Sequence, residues 1–245
     1  MPRAVEVLAA FHRLPVVPLD RITGGRPVLV VAPHPDDESL GCGGMIAEAA
    51  ARGQGVQVAV LTDGTGSHRN SRHFPPPRLR ALREAEARRA VAALGLDPSV
   101  LHFLGLPDTA APLEGPPFEA AVAALARIVR AHGIATILAT WEHDPHCDHL
   151  AAHRIAAAAA ARTRTRHVAY PVWGWTLPDD QPLPEQPVRG ARLDITGHLP
   201  AKRRAIAAHA SQHGAVIDDD PDGFVLPPHL LAAFDAAYET FLEVA

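Results

Sequence analysis

Hydrophobic positions in the first two thirds of the chain gather into four short runs of apolar and β-branched residues, 28–31, 56–62, 100–104 and 134–140. Each run precedes a longer segment in which apolar residues return every three to four positions. Short apolar runs of this kind are the mark of strands buried on both faces, and the longer period is that of helices packed against them. Helices are expected near 40–52, 79–94, 118–132 and 150–162. Four strand-then-helix units in succession imply an α/β fold: a single-domain, Rossmann-like, mostly parallel sheet with helices on both faces. Right-handed crossovers bring the carboxyl ends of all the strands to one edge, and ligands bind at that edge in such sheets. Farther along, 167–173 reads as a fifth strand, 190–194 as a short edge strand, and 200–209 and 228–242 as helices that close the chain. Residues 5–14 read as a helix outside the sheet. One domain is expected over 1–245, with its motifs between roughly 26 and 212 and a helical extension from roughly 213 to 245.

Length and charge narrow the function classes. A chain of 245 residues is long enough for one well-buried core. Its net charge of -4 leaves no electrostatic footprint for nucleic acid, since the arginines of 78–89 are interleaved with glutamate and alanine, as on a solvated helix face. No stretch is apolar enough to span a membrane, and the amino terminus lacks the basic and apolar regions of a secretory signal, so the expected compartment is the cytoplasm. Two cysteines, Cys42 and Cys147, make no disulfide framework. A homo-oligomer is compatible with the sequence and is not specified by it.

Candidate chemistry sits at the exit of the first strand, in Ala32-Pro33-His34-Pro35-Asp36-Asp37-Glu38. His34 and Asp37 are spaced so that a turn entering a helix can aim both at a divalent metal. Adjacent carboxylates in one pocket repel unless a cation or a shared proton compensates them. A metal would resolve that conflict and leave Asp36 to accept a proton from an activated water. The competing reading is that Asp36 or Asp37 caps a helix beginning near Ser39. After the fourth strand comes His143-Asp144-Pro145-His146-Cys147-Asp148-His149, with His153 one helical turn on. Together with His34 and Asp37, one of these imidazoles would complete three protein ligands and leave a fourth position open, the arrangement of a catalytic rather than a structural zinc. A second imidazole could stabilise an oxyanion and protonate a leaving amine.

His34-Pro35-Asp36-Asp37-Glu38 together with His146-Cys147-Asp148-His149 resembles the two signature motifs of the PIG-L/LmbE-like family of zinc-dependent N-deacetylases. The resemblance extends in order through Leu61-Thr62-Asp63-Gly64, Arg83 to Glu86, Leu106-Pro107-Asp108, Lys202 to His209 and Ser211-Gln212. It implies His34, Asp37 and His149 as ligands of Zn2+ or another divalent first-row metal, and Asp36 as general base. It further implies His146 as oxyanion stabiliser and general acid, with Asp148 as a carboxylate orienting an imidazole. Arg83 and Asp108 resemble positions that contact sugar hydroxyls, while Asp63 either does the same or caps a turn. Cys147 stands where the family commonly has proline, and His153 is expected beside the site without joining it. The implied activity is hydrolytic removal of an N-acetyl or related N-acyl group from an amino sugar or glycoconjugate. An amidase acting on a thiol conjugate or an acylated antibiotic would use the same centre. The alternative from another class is a non-catalytic metal- or nucleotide-binding α/β module. The proline-rich segment 174–190 is expected to set specificity, with His143 on the pocket rim.

Overall fold

The computed structural model describes residues 1–244. Strand β1 (Val28–Ala32) is buried at every position. Its side chains alternate between two apolar layers: Val28, Val30 and Ala32 pack with Leu40, Met45 and Ile46, while Leu29 and Val31 pack with Val122, Leu125 and Ile155. A strand covered on both faces has no position for a polar side chain, which accounts for the unbroken run.

The following strands, β2 (Val56–Thr62), β3 (Leu101–Leu106), β4 (Thr136–Thr140) and β5 (Arg166–Tyr170), all run parallel to β1. Helices α5 (Gly115–His132) and α6 (Cys147–Thr163) cover one face. The other face carries α3 (Asp37–Ala51), α4 (Pro76–Ala93), α7 (Leu199–Ala208) and α8 (Pro228–Phe234). Two helices precede the sheet, α1 (Ala4–His12) and α2 (Leu19–Thr23). Helix α1 packs on Trp141, Leu177 and Leu183 at the periphery, and the short α2 was not anticipated. Two more strands, β6 (Gly190–Asp194) and β7 (Tyr238–Glu243), complete the seven-stranded order β3-β2-β1-β4-β5-β7-β6. From β1 the chain steps outward through β2 and β3, and from β4 it steps the other way through β5. The loops after β1 and β4 therefore flank the point where strand order reverses, the crevice in which α/β sheets bind ligands.

The end of the chain departs from expectation. The helix expected over 228–242 stops at Phe234 and Tyr238–Glu243 is β7, while 214–227 of the expected helical extension forms no helix. Alanines and leucines gave the segment a helical period, but Tyr238 to Glu243, buried at its four central positions, finds open edges on both sides, pairing antiparallel with β5 and with β6. Tertiary pairing of this kind overrides local propensity. Insertion of β7 also brings Glu239 into the interior. Glu239 and Lys202 are 3% and 2% exposed and 2.8 Å apart, and the Glu239 carboxylate also accepts the amides of Gly44 and Met45 at 2.7 and 2.8 Å. Helix α3 approaches this closely because it is thinned by glycine: a Cβ at Gly41 would overlap the Tyr170 ring.

Candidate active site

The turn between β1 and α3 sends three side chains into the crevice. Asp36 occupies the residue before the helix, but neither carboxylate caps it: Asp36 makes no side-chain capping bond, and Asp37 is already its first residue. Asp37 Oδ2 instead turns back to accept the His34 amide at 2.9 Å. The backbone of Asp36 has φ 151°, a conformation costly for a residue with a Cβ. Glu38 helps to hold it, accepting the Asp36 amide at 3.1 Å while it contacts His209 at 3.1 Å. Strain retained at one carboxylate beside two potential ligands is characteristic of a functional site.

Asp37 Oδ2 lies 3.2 Å from His34 Nδ1 and 3.4 Å from His149 Nε2. The far nitrogen of each ring is committed elsewhere. His34 Nε2 faces Asp148 Oδ2 at 3.0 Å and Asp108 Oδ1 at 3.2 Å, and His149 Nδ1 faces Asp144 Oδ2 at 2.8 Å. Donation to these carboxylates leaves the near nitrogens to converge on Asp37, and His149 Nε2, fully buried, has no hydrogen-bond partner. Two imidazoles and a carboxylate aimed at one point need positive charge between them. Protons can supply it: burial opposes a charge on His149, yet Asp37 and Asp144 carry its pKa up to about 9. Burial likewise opposes a charge on His34, but Asp108, Asp148 and Asp37 outweigh it and raise its pKa well above the ordinary histidine value. A divalent metal ion could also be held here: His34, His146 and His149 each offer an atom within 4.8 Å of the others, as do His34, Asp108 and Asp148, and histidine-containing donor sets suit zinc or a neighbouring first-row metal better than magnesium.

His146 stands over this cluster, its ring centroid 4.6 Å from that of His34 and 5.3 Å from that of His149. It precedes α6 and accepts the Asp148 amide on Nδ1 at 3.2 Å, so the neutral ring carries its proton on Nε2. Burial, assisted by the neighbouring imidazoles, lowers its pKa to about 4. Asp148 is 1% exposed and meets His34 Nε2, with the amides of Thr109 and Ala111 donating to it at 2.7 and 3.0 Å. The imidazole that Asp148 orients is thus that of His34. Asp36 is pushed up to about 6 by burial, against the pull of Arg83, whose Nη2 lies 3.3 Å away.

His34, Asp36, Asp37 and His146 line a cleft of ≈ 200 Å³. Of the residues expected to meet substrate, Arg83 and Asp108 line it and Asp63 does not. Arg83 is 3% exposed, and its Nη groups donate to Gly64 O and Pro35 O at 3.0 and 2.9 Å, tying two loops behind Asp36. Asp108 accepts the Gly66 amide at 2.7 Å. Asp63 holds a turn by accepting the amide and hydroxyl of Thr65. Gln212 is buried and lines the cleft, its Oε1 without a partner. His153 is bonded to Thr140 O at 3.1 Å, and Cys147 Sγ points to Thr109 O at 3.5 Å.

Three features differ from the reading of the sequence. His143 leaves the rim and packs on Trp141 in a separate cavity, ring centroids 5.1 Å apart. Segment 174–190 does not line the cleft: the amides of Ala4 and Leu183 bond to Gln181 O and Pro2 O, fixing its central part against the amino-terminal segment. The cleft wall comes instead from Trp173, Phe224 and Leu226. The only trace of Phe224 and Leu226 in the sequence is the apolar trio Phe224-Val225-Leu226 after an aspartate-rich stretch. Asp144 was also missed as a site residue. Besides His149 it accepts the amides of Val172, Trp173 and Gly174 at 3.0, 3.1 and 2.6 Å, contacts that only the fold reveals.

Comparison with known proteins bears on this geometry. Residues 29–160 match the family described as PIG-L, GlcNAc-PI de-N-acetylase. A 1D-myo-inositol 2-acetamido-2-deoxy-alpha-D-glucopyranoside deacetylase of Rhodococcus opacus is 30% identical over an alignment covering 76% of this chain and 82% of the relative. A conserved protein of Thermus thermophilus superposes with a TM-score of 0.65 at 25% identity, covering 89% of this chain and 94% of the other. The N,N'-diacetylchitobiose deacetylase of Pyrococcus horikoshii has the same fold, with a TM-score of 0.62 at 22% identity over 91% and 85% of the two chains.

Proposed function

Since the chain belongs to the PIG-L family, we propose that it removes the N-acetyl or a related N-acyl group from an amino sugar or glycoconjugate, with zinc as its metal. The observation that carries this reading is the convergence of His34 Nδ1, Asp37 Oδ2 and His149 Nε2 beside a carboxylate, Asp36, that is not part of that set. The alternative of a nucleotide-binding module is disfavoured, because the exit of β1 presents carboxylates where a phosphate would need amides.

His34, Asp37 and His149 would hold the metal, which when bound lowers the pKa of water towards about 7 and polarises the amide carbonyl. Asp36, with a pKa of about 6, is matched to accept a proton from water near neutral pH. Arg83 fixes its orientation. The Nε2 proton of His146 is available to the carbonyl oxygen as negative charge develops there, as in an oxyanion hole. Water oxygen bonds to the carbonyl carbon and the C–N bond breaks, with the proton held by Asp36 passing to the departing amine. The general-acid role implied for His146 passes in this reading to Asp36, because His146 is held neutral and a neutral imidazole is a weak acid. Gln212 Oε1 remains as an acceptor for a donor on the substrate.

Amine release from N-acetylglucosaminyl inositol, the kind of compound named for the Rhodococcus relative, tests the activity. Turnover should disappear after chelation and return with stoichiometric zinc. Full turnover by metal-free protein would overturn the metal assignment, and hydrolysis of no acylated amino sugar would overturn the function. Asp144→Asn should weaken metal binding by about 10–100-fold, because a carboxylate hydrogen-bonded to a ligand histidine fixes the ring and increases its basicity. Competition against a chromogenic chelator measures this, and an unchanged affinity would remove Asp144 from the centre.

A further inference from the structure

The peptide between Pro35 and Asp36 is gripped from both sides. Its oxygen accepts Arg83 Nη2 at 2.9 Å, and its N–H donates to Glu38 Oε2 at 3.1 Å. Beyond Asp36 the chain is already helical, with the Asp36 carbonyl accepting the amides of Ser39 and Leu40 at 3.0 and 2.9 Å. A peptide plane fixed before Asp36 and a helix fixed after it leave the residue little rotation, and its φ of 151° follows. Such a conformation persists only where the surroundings over-determine it. The Asp36 carboxylate leaves the chain from the same Cα, so whatever fixes the peptide also aims the base.

Glu38 is one jaw of this clamp, and it has a support of its own. It is fully buried, and among the described residues the only basic side chain within ion-pair distance of it is His209, whose Nε2 lies 3.1 Å from Oε1. A carboxylate only accepts, so His209 Nε2 carries a proton and donates it. The Ser39 hydroxyl donates to the same oxygen at 2.7 Å. His209 follows α7, 171 residues from Glu38, and is itself fully buried with no partner on Nδ1. An unpaired polar atom in the interior costs free energy that an apolar side chain would not, so the bond to Glu38 is what a histidine contributes at this place. Two residues on, the amide and hydroxyl of Ser211 donate to Glu86 at 2.8 and 2.6 Å, one helical turn beyond Arg83 on α4. Segment 209–211 thus backs both jaws, Glu38 directly and Arg83 through the helix that carries it. Resting on the deacylase reading above, we propose that His209 is a positioning residue: through Glu38 it clamps the peptide between Pro35 and Asp36 and keeps the general base aimed at the attacking water.

The test measures kcat and KM by amine release from an N-acetylglucosamine glycoside, with bound metal and melting temperature, for the zinc-loaded parent and for variants at His209. A glutamine amide nitrogen reaches as far along the side chain as Nε2, and that of asparagine stops short of it. His209→Gln should therefore keep the parent's kcat, whereas His209→Asn and His209→Leu should lower it about 10–100-fold with KM and metal content unchanged. In an Asp36→Asn background His209→Leu should lower kcat no further, since a residue that acts through Asp36 has nothing left to position. A residue that only anchors α7 would lower the melting temperature in His209→Leu and leave kcat alone, and that result overturns the proposal. The same loss of kcat with and without Asp36 overturns it too, as does loss of metal in step with kcat. Equal kcat in His209→Gln and His209→Asn overturns it whether or not His209→Leu folds. In each of these cases the parent still releases amine and the deacylase reading stands. A parent that releases amine from no acylated amino sugar overturns both together.

Discussion

Asp36→Asn is expected to lower kcat by about 10²–10⁴-fold, or about 3–5 kcal/mol of barrier, while the protein keeps its full complement of metal. The substitution preserves shape, and the amide can still lie beside Arg83, whose main contacts are with the carbonyls of Pro35 and Gly64. What it removes is the one carboxylate at the cleft that is neither between the imidazoles nor committed to a backbone amide. Proton transfer by a positioned group contributes a factor of that size. Metal content and kcat, measured on the same preparation, separate this role from ligation: loss of both would make Asp36 a ligand, and retention of turnover would end its assignment as base. His34→Ala and His149→Ala should behave in the opposite way, losing metal first.

The largest effect on stability is expected at Glu239→Ala, on the order of 3–5 kcal/mol. Burial of an ammonium group is tolerated only with a partner, and Lys202, 2% exposed, would lose its carboxylate. The amides of Gly44 and Met45 would lose an acceptor at the same time. For a domain of this size the melting temperature should fall by on the order of 10 °C. Lys202→Met/Glu239→Leu, which removes both charges, should recover part of that loss, because a buried pair exchanged for apolar groups is often close to neutral. Thermal melts of the three proteins decide it. A melting temperature of Glu239→Ala within two or three degrees of the parent, beyond the scale set by such pairs, would mean that Lys202 finds water.

What could be read in advance depended on how local its cause was. The first strand and its exit were legible because a strand buried on both faces admits no polar residue, so the change at His34 marks the strand's end and its ionisable groups together. His146 and His149 could be placed at the same edge because parallel strands share it. Strand β7 could not, because its pairing partners, β5 and β6, lie far from it in sequence while its lead-in residues are helix formers. The wall of the cleft was hidden for a similar reason. Phe224 and Leu226 are held there by Ser67 and Gln212, and no period in 213–227 announces it. The proline-rich segment 174–190, expected to set specificity, packs instead against the amino-terminal segment.

Asp144 Oδ2 accepts the ring of His149 and the amides of Val172 and Trp173 together. This shared oxygen constrains how the protein can be redesigned or can diverge. A change that shifts the Trp173 backbone to admit a different substrate pulls on the carboxylate that orients a ligand, so altered selectivity there comes with altered metal retention. The segment bearing Phe224 and Leu226 has no such tether to the centre. Variation in acceptance among related sequences should therefore accumulate at 224–226, with 172–174 changing only when Asp144 changes as well.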